Sequence, residues 1–187
     1  MKGLPPFPGF PVEPRLPYFH TLARTIISQQ LAVGAARTIH LRVKALAPSP
    51  RRFPTASELL CIPEEELRGA GLSRSKLRAI RDLAEKVEAG ELKLRSLSIL
   101  PDEEVERQLT AVWGIGVWSA QMFLLFHLGR PDIFAPGDLG LQEGIRVLEE
   151  LEERPTPTAA LQRARVWAPL RSVASWYLWR LKDGGEV

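Results

Sequence analysis

Apolar residues recur along the chain at helical spacing and nowhere alternate over a strand-like run, which predicts an all-α protein. Leu22, Ile26, Leu31, Ile39 and Val43 form one broadly apolar side from about Tyr18 to Ala47, with a break into two helices expected near Gly34. Thr55 to Leu60 reads as a short helix, and Pro63 with Glu64 to Glu66 behind it opens another that Gly69 and Gly71 end. Ser73 caps the next, whose stripe is Leu77, Ile80, Leu83, Ala84 and Val87, with Gly90 as its stop. Pro101, Asp102 and Glu103 start a helix that reaches Leu109 and Val112. Trp118, Met122 and Leu125 continue on a further helix to about Leu128, where Gly129, Arg130 and Pro131 stop it. A helix patterned by Leu141, Ile145, Leu148 and Leu151 follows. Pro155 and Pro157 interrupt the chain, Thr158 or its neighbour begins a short helix to Val166, and Leu170 to Lys182 forms the last one after Pro169.

Composition refines this picture at the ends of the chain. Residues 4–17 hold six prolines and predict an extended strap over residues 1–17, followed by one helical domain over 18–187 in which residues 183–187 fray. Hydrophobic residues make up 45% of the 187, enough for a core. The net charge is only +3, yet residues 1–56 carry eight Lys or Arg and a single acid, Glu13, whereas Glu149 to Glu153 is acidic. A basic front half suits a phosphate backbone as a partner, and a solvated helix face equally. Cys61 is alone, so there is no disulfide framework, and the chain suits a reducing cytoplasm. The clustered cysteines of an iron–sulfur site are missing, and His20, His40 and His127 lack metal-ligand spacing. No apolar run is long enough for a membrane span.

Candidate chemistry gathers between Thr110 and Leu141. Gly114 and Gly116 form a Gly-x-Gly turn between two helical patterns, and the first N–H groups of the second helix are natural partners for a phosphate oxygen. The Gly69-Ala70-Gly71-Leu72-Ser73 turn echoes it, as a connector or a second phosphate contact. Asp138, in Pro136-Gly137-Asp138-Leu139, sits where a helix N-cap is expected. Trp118 and Trp179 read as core packing or as faces for a cationic ring.

The sequence Leu109-x-x-x-x-Gly-Ile-Gly-x-Trp-Ser-Ala120, followed by Phe134-x-Pro-x-Asp-Leu139, resembles the helix-hairpin-helix superfamily of DNA glycosylases, closest to the 3-methyladenine DNA glycosylase II type. IISQQLAVGAARTI near the front and WAPLRSVASWYLWR at the end agree, so the likeness spans residues 18 to 181. It implies two helical lobes with the active-site cleft between them, the hairpin at 105–128, and none of the N-terminal mixed domain of fuller members. By resemblance, Asp138 is the catalytic carboxylate, and Trp118, Met122 and Trp179 line the base pocket. Met122 stands where some members have Tyr. Gln30 and Leu31 match the tip of the QQ helix, with Leu31 as the wedge that fills the gap left by a flipped base. Gly114 and Gly116 would meet phosphate, and Arg171 would brace the Asp138 loop, meet another phosphate, or simply form a surface ion pair. The backbone carbonyls of Thr110, Val112 and Ile115 would hold Na+ or K+; no other cofactor is required. Strand-cutting members place a Lys where this chain has Trp118, so the resemblance implies a monofunctional, hydrolytic enzyme. Its expected partner is double-stranded DNA containing a damaged base, bound by a monomer. The rival readings are a glycosylase for an oxidised or otherwise methylated base, and a non-catalytic DNA-binding module.

Overall fold

A computed structural model describes residues 6–9, 16–49 and 51–184. Their regular structure is α1 Tyr18–Ser28, α2 Val33–Ala45, α3 Ala56–Cys61, α4 Glu64–Gly69, α5 Arg74–Glu88, α6 Asp102–Thr110, α7 Val117–Phe126, α8 Leu139–Leu148, α9 Pro157–Arg163 and α10 Arg171–Lys182. Two 3-10 turns, Leu94–Ile99 and Ala164–Trp167, complete it, and there is no strand among the described residues. The all-α expectation holds. No described helix is long and apolar enough to cross a membrane. The chain divides into two units, Arg15–Ala120 and Gln121–Val187, the latter with Met1–Pro14. Of the expected N-terminal strap, residues 1–5 and 10–15 lie outside the described residues. Within the second unit, the Phe7 ring meets Trp176 edge-on at 5.8 Å.

In the Arg15–Ala120 unit, α5 is the central helix. Leu77, Ala79, Ile80, Leu83 and Ala84 bury its apolar stripe, and α1, α3 and α4 pack on it. Its start is fixed by the Ser73 hydroxyl, which accepts from the Lys76 amide at 3.2 Å. Thr55 and Glu58 form a reciprocal capping box that begins α3. Helix α1 buries Phe19, Leu22, Ala23, Ile26 and Ile27, spaced i, i+3, i+4, i+7, i+8. The break expected near Gly34 lies just before α2. The chain turns at Gln29–Ala32, where Gln30 takes a φ of +55°, and Gly34 lies inside α2 with open space around it. Beyond this break the helical register restarts, so Val43 is buried while Leu31 is 37% exposed.

Helices α1 and α2 also meet through aromatic rings. His20 stacks on His40 at 5.0 Å and on Phe53 at 4.7 Å, with the two His Nε2 atoms 3.3 Å apart. Burial, with help from His40, Arg24 and Lys44, lowers the His20 pKa to about 4.

In the Gln121–Val187 unit, α8 packs on α10 around Phe134, Ala135, Leu141, Ile145, Ala160, Ala164 and Leu178. The approach is closest at Gly144, where an added Cβ would stand 2.4 Å from the Leu178 carbonyl oxygen. This contact is with backbone, so no rotamer change relieves it. Gly144→Ala is therefore expected to destabilise the fold by about 3 kcal/mol, read as a fall in the urea midpoint. The histidine pair predicts a pH dependence. The unfolded chain binds the His20 proton near 6.5 and the folded chain only near 4. The stabilisation is complete above pH 6.5 and is lost as pH falls towards 4. Between pH 7 and 4.5 the native protein should lose about 2 kcal/mol more than His20→Leu, measured by urea unfolding at the two pH values.

Candidate functional site

The hairpin belongs to the Arg15–Ala120 unit. Leu109, Val112 and Ile115 are at most 4% exposed and pin both arms of the turn to the core. Gly114 has a φ of +85°, and a Cβ there would come 2.9 Å from the Ala79 Cβ on α5. Both facts require glycine at that position. Gly116 has ordinary backbone angles and open space, and its carbonyl accepts from the Ala120 amide at 3.1 Å as α7 begins. Helix α7 starts at Val117, and the start of a helix is where backbone amides suit an anion. The turn is tied down from three directions. Asp82 Oδ2 accepts from the Trp113 amide at 2.7 Å, and the Arg78 guanidinium lies 4.3 Å over the Trp113 ring. Gln29 Nε2 donates to the Gly114 carbonyl at 2.9 Å. Of the three carbonyls proposed for a cation, that of Val112 accepts from the Ile115 amide at 3.1 Å and retains a second lone pair.

The residues of the QQ helix are divided by its end. Gln29 turns its side chain to the hairpin, whereas Gln30 is exposed at its positive φ and Leu31 follows at the tip of the α1–α2 connection. Trp118, on the first turn of α7, is 49% exposed.

Asp138 belongs to the other unit and is the N-cap of α8. Its Oδ1 accepts from the Leu141 amide at 2.8 Å and from Trp179 Nε1 on α10 at 3.0 Å. Two donors on one oxygen fix the carboxylate's orientation. The indole lies so near the start of α8 that a Cβ at Gly140 would be 2.9 Å from Trp179 Cδ1 and 3.0 Å from Asp138 Oδ1. Trp179 stacks on Phe126 at 5.7 Å, and Met122 packs against the same core cluster as Trp179. The loop before Asp138 is held along its length. Gln142 Nε2 donates to the Pro136 carbonyl at 2.8 Å. The buried Ser172 hydroxyl donates to the Arg130 carbonyl at 2.6 Å and accepts from the Ile133 amide at 2.9 Å.

Arg171 forms an ion pair with Asp132 on this loop. Its Nε and Nη2 reach the two carboxylate oxygens at 2.7 and 2.9 Å, and its own amide adds a third bond at 3.1 Å. The guanidinium holds the Asp132 carboxyl below its ordinary 3.8. Gln29, Lys76, Asp82 and Asp132 carry contacts that the sequence reading did not assign. Gln29 alone had a sequence signal, as the first residue of the Gln-Gln pair.

Residues 23–169 match the family model described as HhH-GPD superfamily base excision DNA repair protein. The chain is 34% identical over 174 residues to DNA-3-methyladenine glycosylase 1 of Schizosaccharomyces pombe, covering 92% of this chain and 75% of that one. Its fold is similar to the crystal structure of a DNA-3-methyladenine glycosidase from Bacillus halodurans, with a TM-score of 0.84 and 36% identity over 92% of this chain and 77% of the other. It is also similar to a 3-methyladenine DNA glycosylase of S. pombe in complex with abasic DNA, with a TM-score of 0.79 and 32% identity over 96% of this chain and 89% of that one.

Asp132→Ala would leave the Arg171 guanidinium without this bidentate partner. It is expected to cost about 2 kcal/mol at pH 7 by urea unfolding. Because the folded-state pKa is depressed, that contribution is present above the ordinary 3.8 and is lost as pH falls below it.

Proposed function

We propose that this chain, which belongs to the HhH-GPD superfamily of base excision DNA repair proteins, removes alkylated purines, 3-methyladenine foremost, from duplex DNA by hydrolysis. The observation that carries the reading is Asp138, held by Leu141 and Trp179 through one carboxylate oxygen at the start of α8. Its partner is DNA, in keeping with the DNA-bound relative.

Cleaving the bond between base and deoxyribose develops positive charge on the sugar. A carboxylate already oriented stabilises that charge without reorganising during the reaction. Asp138 would also orient the attacking water or take its proton. Trp118 occupies the position of the lysine in strand-cutting members and has no nucleophile, so water attacks and the products are a free base and an abasic site. A 3-methylated adenine is cationic and leaves readily, so the indole faces of Trp118 and of Trp179, the latter with Met122 on its own core cluster, would each favour it by stacking. The cost of flipping, roughly a few kcal/mol, is offset by Leu31 entering the stack, with Gln30 touching the backbone or opposite strand. The amides of Gly114 and Gly116 hold the phosphate, and the carbonyls of Thr110, Val112 and Ile115 would hold Na+ or K+, which would add positive charge beside it. The enzyme works as a monomer.

The test is release of free base from DNA treated with a methylating agent. The native protein is expected to release 3-methyladenine without nicking the strand before alkali. Asp138→Asn should reduce the rate by roughly 100- to 1,000-fold while leaving duplex binding intact. No release by either protein, with binding retained by both, would make a non-catalytic DNA-binding module the better account.

A further inference from the structure

Lys76 plays no part in the chemistry above, yet its side chain spans a long stretch of sequence. From α5 its Nζ donates to the carbonyls of Ile27 at 2.6 Å and Gln29 at 2.7 Å. These lie at the C-terminal end of α1, where carbonyls lack intrahelical donors and the helix dipole favours a cation. Ile27 needs such a donor because the Leu31 amide turns back to the Ser28 carbonyl at 3.2 Å instead of continuing the helix. On the other side of the same loop, Gln29 Nε2 bonds the Gly114 carbonyl at 2.9 Å. Between these anchors Gln30 holds a φ of +55°, which a residue with a side chain keeps only when its surroundings over-determine it. Leu31 follows directly, partly exposed. All these groups belong to the Arg15–Ala120 unit.

We infer that Lys76 is a positioning residue for strand intercalation: with Gln29 it fixes the Leu31 loop to the hairpin, at a set distance from the phosphate-binding turn. The inference rests on the wedge role proposed for Leu31. Its physical content is that the entropy of ordering the loop is spent on folding, so none is charged when the side chain enters the stack. Removing the ammonium leaves two carbonyls without their donor and lets Gln30 relax. Leu31 is then still present but no longer held in place. The phosphate contacts do not involve Lys76, so affinity and insertion should separate.

The test requires no turnover. The full chain is titrated onto a duplex carrying a tetrahydrofuran abasic analogue with 2-aminopurine opposite it. Anisotropy reads binding and 2-aminopurine fluorescence reads unstacking. The native protein should raise the fluorescence on binding, and Leu31→Gly should not. Lys76→Met is expected to bind within about threefold of the native protein yet lose about half or more of the rise, and Lys76→Arg to recover most of it. A native-sized rise with Lys76→Met overturns the inference. If that variant does not fold, Gln29→Leu cuts the other anchor, and an undiminished rise with it has the same force. A rise that survives Leu31→Gly removes the wedge role and this inference together. Base release from methylated DNA, measured separately, decides the glycosylase reading.

Discussion

The contact between Gly144 and the Leu178 backbone sets the spacing on which the Asp138 end of the molecule depends. Helices α8 and α10 approach until no Cβ fits between them, and the residue after Leu178 is the tryptophan whose N–H reaches Asp138. A wider crossing would draw the indole away from the carboxylate. Packing of this kind is steep with distance, because side chains in a dense interior have no slack to take up a shift. The loop before Asp138 is fastened to the same helix, by Arg171 at Asp132 and by Ser172 at Arg130 and Ile133. Helix α10 thus holds the carboxylate, the approach to it and the ring beside it.

The hairpin solves a different problem. Backbone amides carry no side-chain specificity and must be placed by the chain itself. Buried Leu109, Val112 and Ile115 provide the footing, and a glycine lets the turn lie directly on Ala79. Asp82 and Gln29 occupy a donor and an acceptor of the turn.

What was legible in the sequence was local. Thr55, Ser73 and Asp138 announce helix starts because a cap is a contact over two or three residues, and each caps the helix that follows it. The apolar stripes of α1 and α5 are legible for the same reason. A break between α1 and α2 is legible near Gly34 because glycine is the usual local signal, but not its cause. The chain turns at Gln29–Ala32, where a lysine almost fifty residues away takes the loose carbonyls. Arg171 shows the same limit. Its sequence context offers a phosphate, a brace or an ion pair without naming a partner, and only folding shows that Asp132 is in reach with both oxygens aligned. Of the two glycines in the hairpin motif, only Gly114 is demanded by a positive φ and a close neighbour, a distinction invisible in the sequence motif.

The bond from Trp179 to Asp138 ties the wall of the proposed base pocket to the reacting charge. A substitution that reshaped that wall to admit a different lesion would also release one of the two donors on Oδ1. In the proposed site, substrate range and rate would therefore change together at this position. Met122 packs on the same core with a flexible, unbranched side chain and makes no hydrogen bond to the carboxylate. In the proposed site, a change of side chain at Met122 would therefore alter the wall while leaving Asp138 and its two donors where they are.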